Sequence, residues 1–416
     1  MSENGAGHLQ NVPPRAGTLV QQHGGTDGYS AFLPAPLPPT PPVDLSGRLA
    51  GLLERASSSL GRLDGLSRSL DPDRLLYMYV RKEAVLSSQI EGTQSTLTEL
   101  LEYENADAPG VPVEDVREVS RYVNALRFAV DKIDSGAPLS LRLIRDAHRV
   151  LMTGGRGGNQ DPGEFRRSQN WIGGTRPGTA RFVPPPPHEL MRVLGELEFF
   201  IVEGSETPIV KAGLAHAQFE TIHPFLDGNG RLGRLLITMI LCAEGSLTQP
   251  FLYLSLYFKQ HREDYYATLQ RVRSHGDWEG WMAYYLEGVD WTARQAIATT
   301  TDLLDLFRVD RERIIAAPRS SSTLRVFDEL QRTVILSIRR ASERLGLSTP
   351  TVNAAMKRLE TMGIAHEITG KAYGRLFAYD RQLDIINRVD DASAAASPPP
   401  RTREDAWREG FDRDDA

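Results

Sequence analysis

The sequence predicts a mainly α protein: a helical core carrying a small β-hairpin flap, followed by a C-terminal winged helix-turn-helix. Three observations lead there. Apolar residues recur at helical spacing through most of residues 43–304. One short segment, NWIGGTRPGTARFVPPPP, has β-prone ends around a turn rich in Gly and Pro. From Thr323 to about Asn387, short helices give way to short β-prone runs. Strand and helix do not alternate regularly, which disfavours a parallel α/β sheet.

Residues 1–42 are rich in Gly, Gln and Pro and end in FLPAPLPPTPP, a composition that predicts a disordered arm. Residues 43–110 form an N-terminal helical region. Within it Tyr79, Leu86, Ile90, Leu97 and Leu101 make one apolar stripe, interrupted at Gly92. Thr96 and Glu99 have capping-box spacing, so one helix ends near Glu91 and Gly92 and a second starts near Thr96. The core, residues 111–304, carries helices at 113–135, 140–153, 188–203, 210–223, 230–244, 262–274 and 278–304. Its flap, 170–183, has arms at 170–172 and 180–183 around Gly173, Gly174 and Gly178. Residues 305–322 are read as a linker, 323–387 as the winged helix and 388–416 as a disordered tail. In the winged helix, residues 338–345 and the helix opening at Ser348-Thr349-Pro350 flank a Gly346-Leu347 turn. Val352, Met356 and Leu359 form the buried face of the recognition helix, and GKAYGR makes the wing.

A length of 416 residues suits two or three domains, and 40% hydrophobic with 25% charged residues is ordinary for a soluble chain. Lys and Arg number 48 against 54 Asp and Glu, a net charge of -6, so any nucleic-acid contact must come from a local patch. Cys242 is the single cysteine, which excludes an intramolecular disulfide and a thiolate metal cage. The N-terminus lacks the basic and then apolar run of a secretory signal. The longest mainly apolar stretch, 235–242, falls far short of the ~18 residues of a membrane span. A cytoplasmic location is expected.

The densest feature is HPFLDGNGRLGR, residues 223–234. Gly228, Gly230 and Gly233 match a dinucleotide fingerprint in form, but the preceding LAHAQFETIHPF reads as helix, not strand. A P-loop reading fails because Arg234 and Leu235 stand where Lys and Ser or Thr are required. An EF-hand reading puts Leu232 at the invariant Gly position and Thr238 at the bidentate Glu position, and fails as well. Leu232, Leu235, Leu236, Met239 and Ile240 instead form the buried face of a helix whose mouth holds Gly228, Asn229 and Gly230. A helix N-terminus offers unpaired N–H groups and the positive dipole end to a phosphate, and Arg231 and Arg234 add two cations. Asp227 suits a magnesium ion bridging phosphate oxygens, and His223 suits a general base near neutral pH.

The series His223-Pro224-Phe225-x-Asp227-Gly228-Asn229-Gly230-Arg231-x-x-Arg234 resembles the complete signature of the Fic family. The resemblance implies transfer of AMP from ATP to a protein hydroxyl, with His223 as base and Asp227 holding Mg2+. It implies that Asn229, Gly228, Gly230 and Arg231 hold the α- and β-phosphates and Arg234 the γ-phosphate. The implied ATP-binding set also takes in Leu232 and Gly233. Tyr265 and Tyr266 resemble the nucleotide-side helix of the family, a flat apolar seat for adenine. Gln218, five residues before His223 and so off its face on an ideal helix, is carried as a pocket candidate. His216, without an Asp or a second His at metal spacing, is read as structural. Ser87-x-x-x-Glu91-Gly92 resembles the family's N-terminal inhibitory motif, in which Glu91 pairs bidentately with Arg234 and denies it to the γ-phosphate.

In this reading a target's Ser, Thr or Tyr docks on the flap by strand pairing. Arg339, Arg340, Lys357, Arg358, Lys371 and Arg375 give the winged helix a local basic set that admits DNA. Winged helices often serve instead as protein-docking or dimer modules, and the acidic chain does not help DNA binding. The leading function is an autoinhibited protein adenylyltransferase, with removal of AMP as a second activity. A DNA-binding regulator whose pocket senses nucleotide, and transfer of a different nucleotide or of phosphate, stand as alternatives.

Overall fold

A computed structural model describes residues 12–22, 28–69, 72–105, 113–154, 160–317, 320–370 and 373–394. The chain opens with β1 (Gly17–Gln22) and β2 (Tyr29–Pro34), then α1 (Gly47–Ser69), α2 (Pro72–Ile90), α3 (Leu97–Asn105), α4 (Val113–Asp134) and α5 (Leu141–Met152). After the flap come α6 (Leu190–Glu203), α7 (Pro208–Ile222), α8 (Asn229–Ala243), α9 (Ser255–Gln260), α10 (Arg262–His275) and α11 (Trp278–Ile315). The last unit holds α12 (Ser320–Thr333), β3 (Ile335–Ser337), α13 (Ile338–Leu345), α14 (Thr349–Thr361), β4 (His366–Glu367), β5 (Leu376–Ala378) and α15 (Asp380–Ala394).

The core is organised around α7, whose residues are buried continuously from Ile209 to Ile222. Thr207 and Pro208 open it, Pro occupying a first-turn position where its missing N–H costs nothing. Around it pack α6, α8, α10 and α11. In α1, Leu49, Leu52, Ala56, Leu60 and Leu63 recur every three or four residues and are buried against α11. The break at Gly92 is as expected: Gly92 takes φ +96°, and the capping box after it is closed on both sides. Thr96 N–H donates to Glu99 Oε2 (2.7 Å) and Glu99 N–H to Thr96 Oγ1 (3.2 Å).

Four boundaries differ from expectation. The arm is not disordered where it is described: β1 and β2 form an antiparallel hairpin running from Gly17↔Pro34 to Gln22↔Tyr29. Its fixing points lie far away in sequence, which composition does not reveal. Phe32 packs on Phe182 with ring centroids 5.8 Å apart, and the Arg15 guanidinium forks onto both oxygens of Glu279 (2.6 and 2.7 Å). Residues 1–11 lie outside the described residues. The expected linker 305–322 is largely helix, because α11 continues unbroken to Ile315 and buries Leu306, Phe307 and Ile314. At about 1.5 Å per residue it is about 57 Å long and serves both units. The flap has one antiparallel bridge, Ile172↔Phe182, not a full hairpin. Gly173 and Gly174 turn the chain at once, with φ of +69° and +77°, and a Cβ at Gly174 would stand 2.4 Å from the Thr179 carbonyl oxygen. Of the expected tail, residues 388–394 belong to α15 and 395–416 lie outside the described residues.

The C-terminal unit is a winged helix. Its strands form an antiparallel sheet in the order β3-β5-β4, with Ile335↔Ala378 and His366↔Ala378 in register. Ser337 caps α13 and Ser348 caps α14, each accepting a first-turn N–H, and Gly346 ends α13 at φ +60°. The unit packs directly on α2: α12 lies against it, and buried Lys82 donates from Nζ to the Ile386 carbonyl at 2.5 Å.

Candidate active site

The site is assembled where α7 stops and α8 starts. His223 caps α7 in the left-handed conformation (φ +50°, ψ +60°), and Gly228 caps α8 at φ +77°. Between them the loop is braced by its own side chains. Asn229 Oδ1 accepts from Phe225 N–H (2.9 Å) and its Nδ2 donates to the Phe225 carbonyl (2.8 Å). Asp227 Oδ1 accepts from Gly228 N–H at 2.7 Å. Phe225 is fully buried and stacks on His148, centroids 3.7 Å apart. Because Gly163 N–H donates to His148 Nδ1 (2.8 Å), the ring proton sits on Nε2, which donates to the Asp227 carbonyl at 3.0 Å. Burial pushes the His148 pKa down to about 4, keeping this neutral form. Gly228 must be Gly, since a Cβ there would stand 2.6 Å from Met152 Sδ.

The N–H groups of Asn229, Gly230 and Arg231 open α8, where no preceding turn supplies carbonyls. Arg234, one turn along, is buried and donates from Nε to Ser87 Oγ (2.9 Å) and from Nη2 to the Ser87 carbonyl (2.9 Å) and to Glu91 Oε1 (2.8 Å). The pair is made through one carboxylate oxygen, where a bidentate fork was expected; Ser87 takes Nε. Burial alone would raise the Glu91 pKa, but Arg234, helped by Arg231 and Arg262, holds it below the ordinary carboxylate value. Gly230 leaves room for this carboxylate: a Cβ would lie 2.2 Å from Glu91 Oε1. Gly92 follows the carboxylate and ends its helix.

His223 is half-buried, and its Nδ1 has no hydrogen-bond partner among the described residues. Burial, with the nearby Arg273 and Arg166 cations, pushes its pKa down to about 3, so the ring is neutral at physiological pH. Asp227 is exposed and lines a cavity of about 480 Å³ with Gln160, Gln169, Asn170, Trp171 and Leu226. Among the described residues no group of three or more His, Cys, Asp and Glu could hold a metal ion. A lone carboxylate of this kind fits Mg2+ that arrives with substrate phosphates.

Several expected site residues take other positions. Arg231 is turned inward, its Nη1 2.6 Å from Glu118 Oε1 in a pair both of whose side chains are nearly buried. Leu232 is in the core, and Gly233 faces Glu220 Oε1 while its carbonyl bonds to His216 Nδ1 (2.8 Å). Tyr265 is not an adenine seat: it is 1% exposed, and its hydroxyl bonds to His216 Nε2 at 2.8 Å among stacked aromatic rings. Tyr266 is half-buried, with the Arg262 guanidinium 5.6 Å from its ring centroid. Gln218 does not face the pocket; its Nε2 donates to the Ala35 carbonyl (2.8 Å) and pins the N-terminal segment. His216 is structural as expected, tying α7 to α8 and α10. Sequence reasoning missed Arg166, Asn170, Glu118 and His148 as braces of the loop and its helix; GEFRRSQN, which leads into the flap and holds Arg166 and Asn170, has no periodic signal, and Glu118 and His148 lie within helices α4 and α5 far from the loop in sequence.

A helical core with this braced loop between two central helices is a Fic-type fold. Residues 50–131 match the Fic/DOC family N-terminal region, 138–241 the Fic/DOC family domain, and 319–365 a winged helix-turn-helix described as DNA-binding. The chain thus carries the two Fic/DOC regions and a C-terminal winged helix. It is 31% identical over 229 residues to "Protein adenylyltransferase Fic" of Drosophila yakuba, covering 51% of this chain and 41% of that one. To the protein of the same name from Aedes aegypti it is 32% identical over 189 residues, covering 44% and 33%. The chain therefore spans less than half the length of these relatives. A solved Fic family protein from Desulfovibrio desulfuricans G20 shares the fold at a TM-score of 0.51 and 21% identity, over 79% of this chain and 95% of that one. No helix among the described residues is long and apolar enough to cross a membrane.

Proposed function

We propose that this chain is an autoinhibited protein adenylyltransferase, moving AMP from ATP to a Ser, Thr or Tyr hydroxyl of a target protein and of itself. The observation that carries the reading is one cation with two claimants: Arg234, at the mouth of α8, is held 2.8 Å from Glu91. In the active state Glu91 gives up Arg234 to the γ-phosphate, and the open N–H groups of α8 receive the α- and β-phosphates. The neutral His223 ring takes the proton of the acceptor hydroxyl, the hydroxyl oxygen bonds to the α-phosphorus, and the α–β bridging bond breaks to release pyrophosphate. When bound, Mg2+ neutralises phosphate charge, and Asp227 is the residue that would hold it. The flap edge beside Ile172 presents the acceptor segment, and AMP removal would use the same pocket with water in place of the hydroxyl.

For the winged helix we favour protein docking over DNA. Arg339 lies 3.9 Å from Glu343, Arg358 donates to Thr323 Oγ1 and Arg375 to Asn353 Oδ1, so part of the basic set is already engaged. Lys371 lies outside the described residues. A homodimer through this unit and a cytoplasmic location complete the proposal.

ATP labelled at the α- or the γ-phosphate tests the reading. Protein that retains only the α-label, and loses it with His223→Ala, supports AMP transfer. Retention of the γ-label would replace it with phosphate transfer, and a salt-sensitive DNA shift without label would favour the regulator.

A further inference from the structure

The last turn of α7 ends on carbonyls that side chains from the flap segment collect. Arg166 is 3% exposed and donates from Nε to the His223 carbonyl at 3.0 Å. Its Nη2 donates to the carbonyls of Pro185 (2.6 Å) and Ile222 (3.4 Å), and its Nη1 to that of Ser168 (3.3 Å). Its backbone N–H donates to the Pro224 carbonyl at 2.9 Å. Asn170 adds Nδ2 donations to the carbonyls of His223 (3.1 Å) and Phe225 (3.0 Å). The His223 carbonyl thus has two donors, both from the chain leading into the flap. On the other side, Arg273 donates to the Glu220 carbonyl (3.1 Å) and Thr221 Oγ1 (3.2 Å) and lies 4.2 Å over the Phe182 ring of the flap. Cations at a helix C-terminus also meet the negative end of its dipole.

This clamp acts on the one residue whose ring must meet the acceptor. Left-handed backbone at a non-Gly residue costs on the order of 1–3 kcal/mol and persists only where its surroundings over-determine it. Here His223 has that conformation, and its carbonyl is the point at which Arg166 and Asn170 converge. The same guanidinium reaches Ser168 and Pro185, at the two feet of the flap. We propose that Arg166, together with Asn170, is a positioning residue for His223 that makes the aim of the base depend on the flap. The proposal rests on the reading of His223 as the transfer base. A segment pairing with the flap would then stiffen the clamp as it docks, joining target binding to base alignment.

The test uses the full chain carrying Glu91→Gly, with Arg166→Met, Arg166→Lys and Asn170→Ala added singly. Misplacing a catalytic group by about 1 Å costs on the order of 100-fold, so Arg166→Met is expected to lower kcat for AMP transfer by about that factor. KM for ATP should stay within about twofold, since no phosphate contact is lost. Lys replaces the fork with a point donor and should recover part of kcat. NMR of labelled histidines should show the His223 ring signal displaced while His216 is unmoved. If Arg166→Met does not fold, Asn170→Ala, which leaves Arg166 in place, carries the same comparison. Unchanged kcat with an unmoved His223 signal, or a change confined to KM, overturns the proposal. A Glu91→Gly parent that transfers no AMP sinks the transfer reading instead, and the ring signals still decide whether the clamp aims His223.

Discussion

Glu91→Gly removes one side of the Glu91–Arg234 ion pair and leaves the other in place. Arg234 keeps its bonds to Ser87 Oγ and to the Ser87 carbonyl, both 2.9 Å, so the guanidinium stays aimed along α8 after the carboxylate is gone. A hydrogen bond to a charged group is worth about 1.5–3 kcal/mol. The Glu91 side chain is 31% exposed, which favours the lower part of that range, about 1.5–2 kcal/mol. At about 1.4 kcal/mol per decade, ATP should bind about 10- to 30-fold more tightly to the variant. Below saturation, initial rates of label incorporation from ATP and Mg2+ should rise by a similar factor. The same change leaves a buried cation without its charge partner, so the nucleotide-free variant should melt below wild type and regain stability as ATP is added. Titration calorimetry and initial-rate labelling measure the two effects. Equal affinity and equal rates in the two proteins would refute the brake, and weaker ATP binding by the variant would mean that Glu91 helps to hold the nucleotide.

Three other outcomes are expected. Glu118→Ala strands buried Arg231 and should cost about 3–5 kcal/mol in a denaturant melt, whereas an effect below 1 kcal/mol would show that the pair does little. Phe32→Ala empties the small cluster joining the N-terminal hairpin to the flap, and should raise hydrogen exchange at 172–183 while leaving α7 protected; a change in neither region would show the hairpin to be uncoupled. Stability should fall only gently from pH 6.5 to about 4.5 and then steeply. His148, His216 and His223 have folded pKa values of about 4, 3 and 3, so the unfolded chain takes up their protons as pH drops through 6.5. Burial lifts Glu83 and Glu220 to about 7, so the folded chain holds two protons that the unfolded chain releases above pH 4.5. The two contributions nearly cancel between those limits, leaving about one proton in favour of the unfolded state. Glu220→Gln removes one opposing proton and should steepen the slope by about 1.4 kcal/mol per pH unit; an unchanged slope would mean that Glu220 is ionised in the fold.

The parts of this protein that could be read from sequence are those whose physics is local. The stripe through Leu86 and Ile90, the Thr96–Glu99 box and the series from Leu232 to Ile240 each carry their period in adjacent turns, and the helices follow. The glycines at 228 and 230 announce a close approach, although not that Glu91 is what approaches Gly230. Contacts made across the chain were not legible. Arg231 and Arg234 look alike one turn apart, yet Glu118, 113 residues away, draws one inward while the mouth of the site keeps the other. Tyr265 and Tyr266 are neighbours with opposite fates, decided by the His216 ring. The Pro-rich arm reads as disordered because its alternation is poor, and what orders it is Phe182, Gln218 and Glu279.

Intact-mass analysis of the full chain carrying Glu91→Gly, after incubation with ATP and Mg2+, bears most directly on the assignment of a restrained AMP-transfer site. The expected result is a protein heavier by one or more whole AMP groups, absent from wild type at the same early time and absent when His223→Ala is added. An unchanged mass, a phosphate-sized gain, or an AMP gain that survives His223→Ala would contradict it.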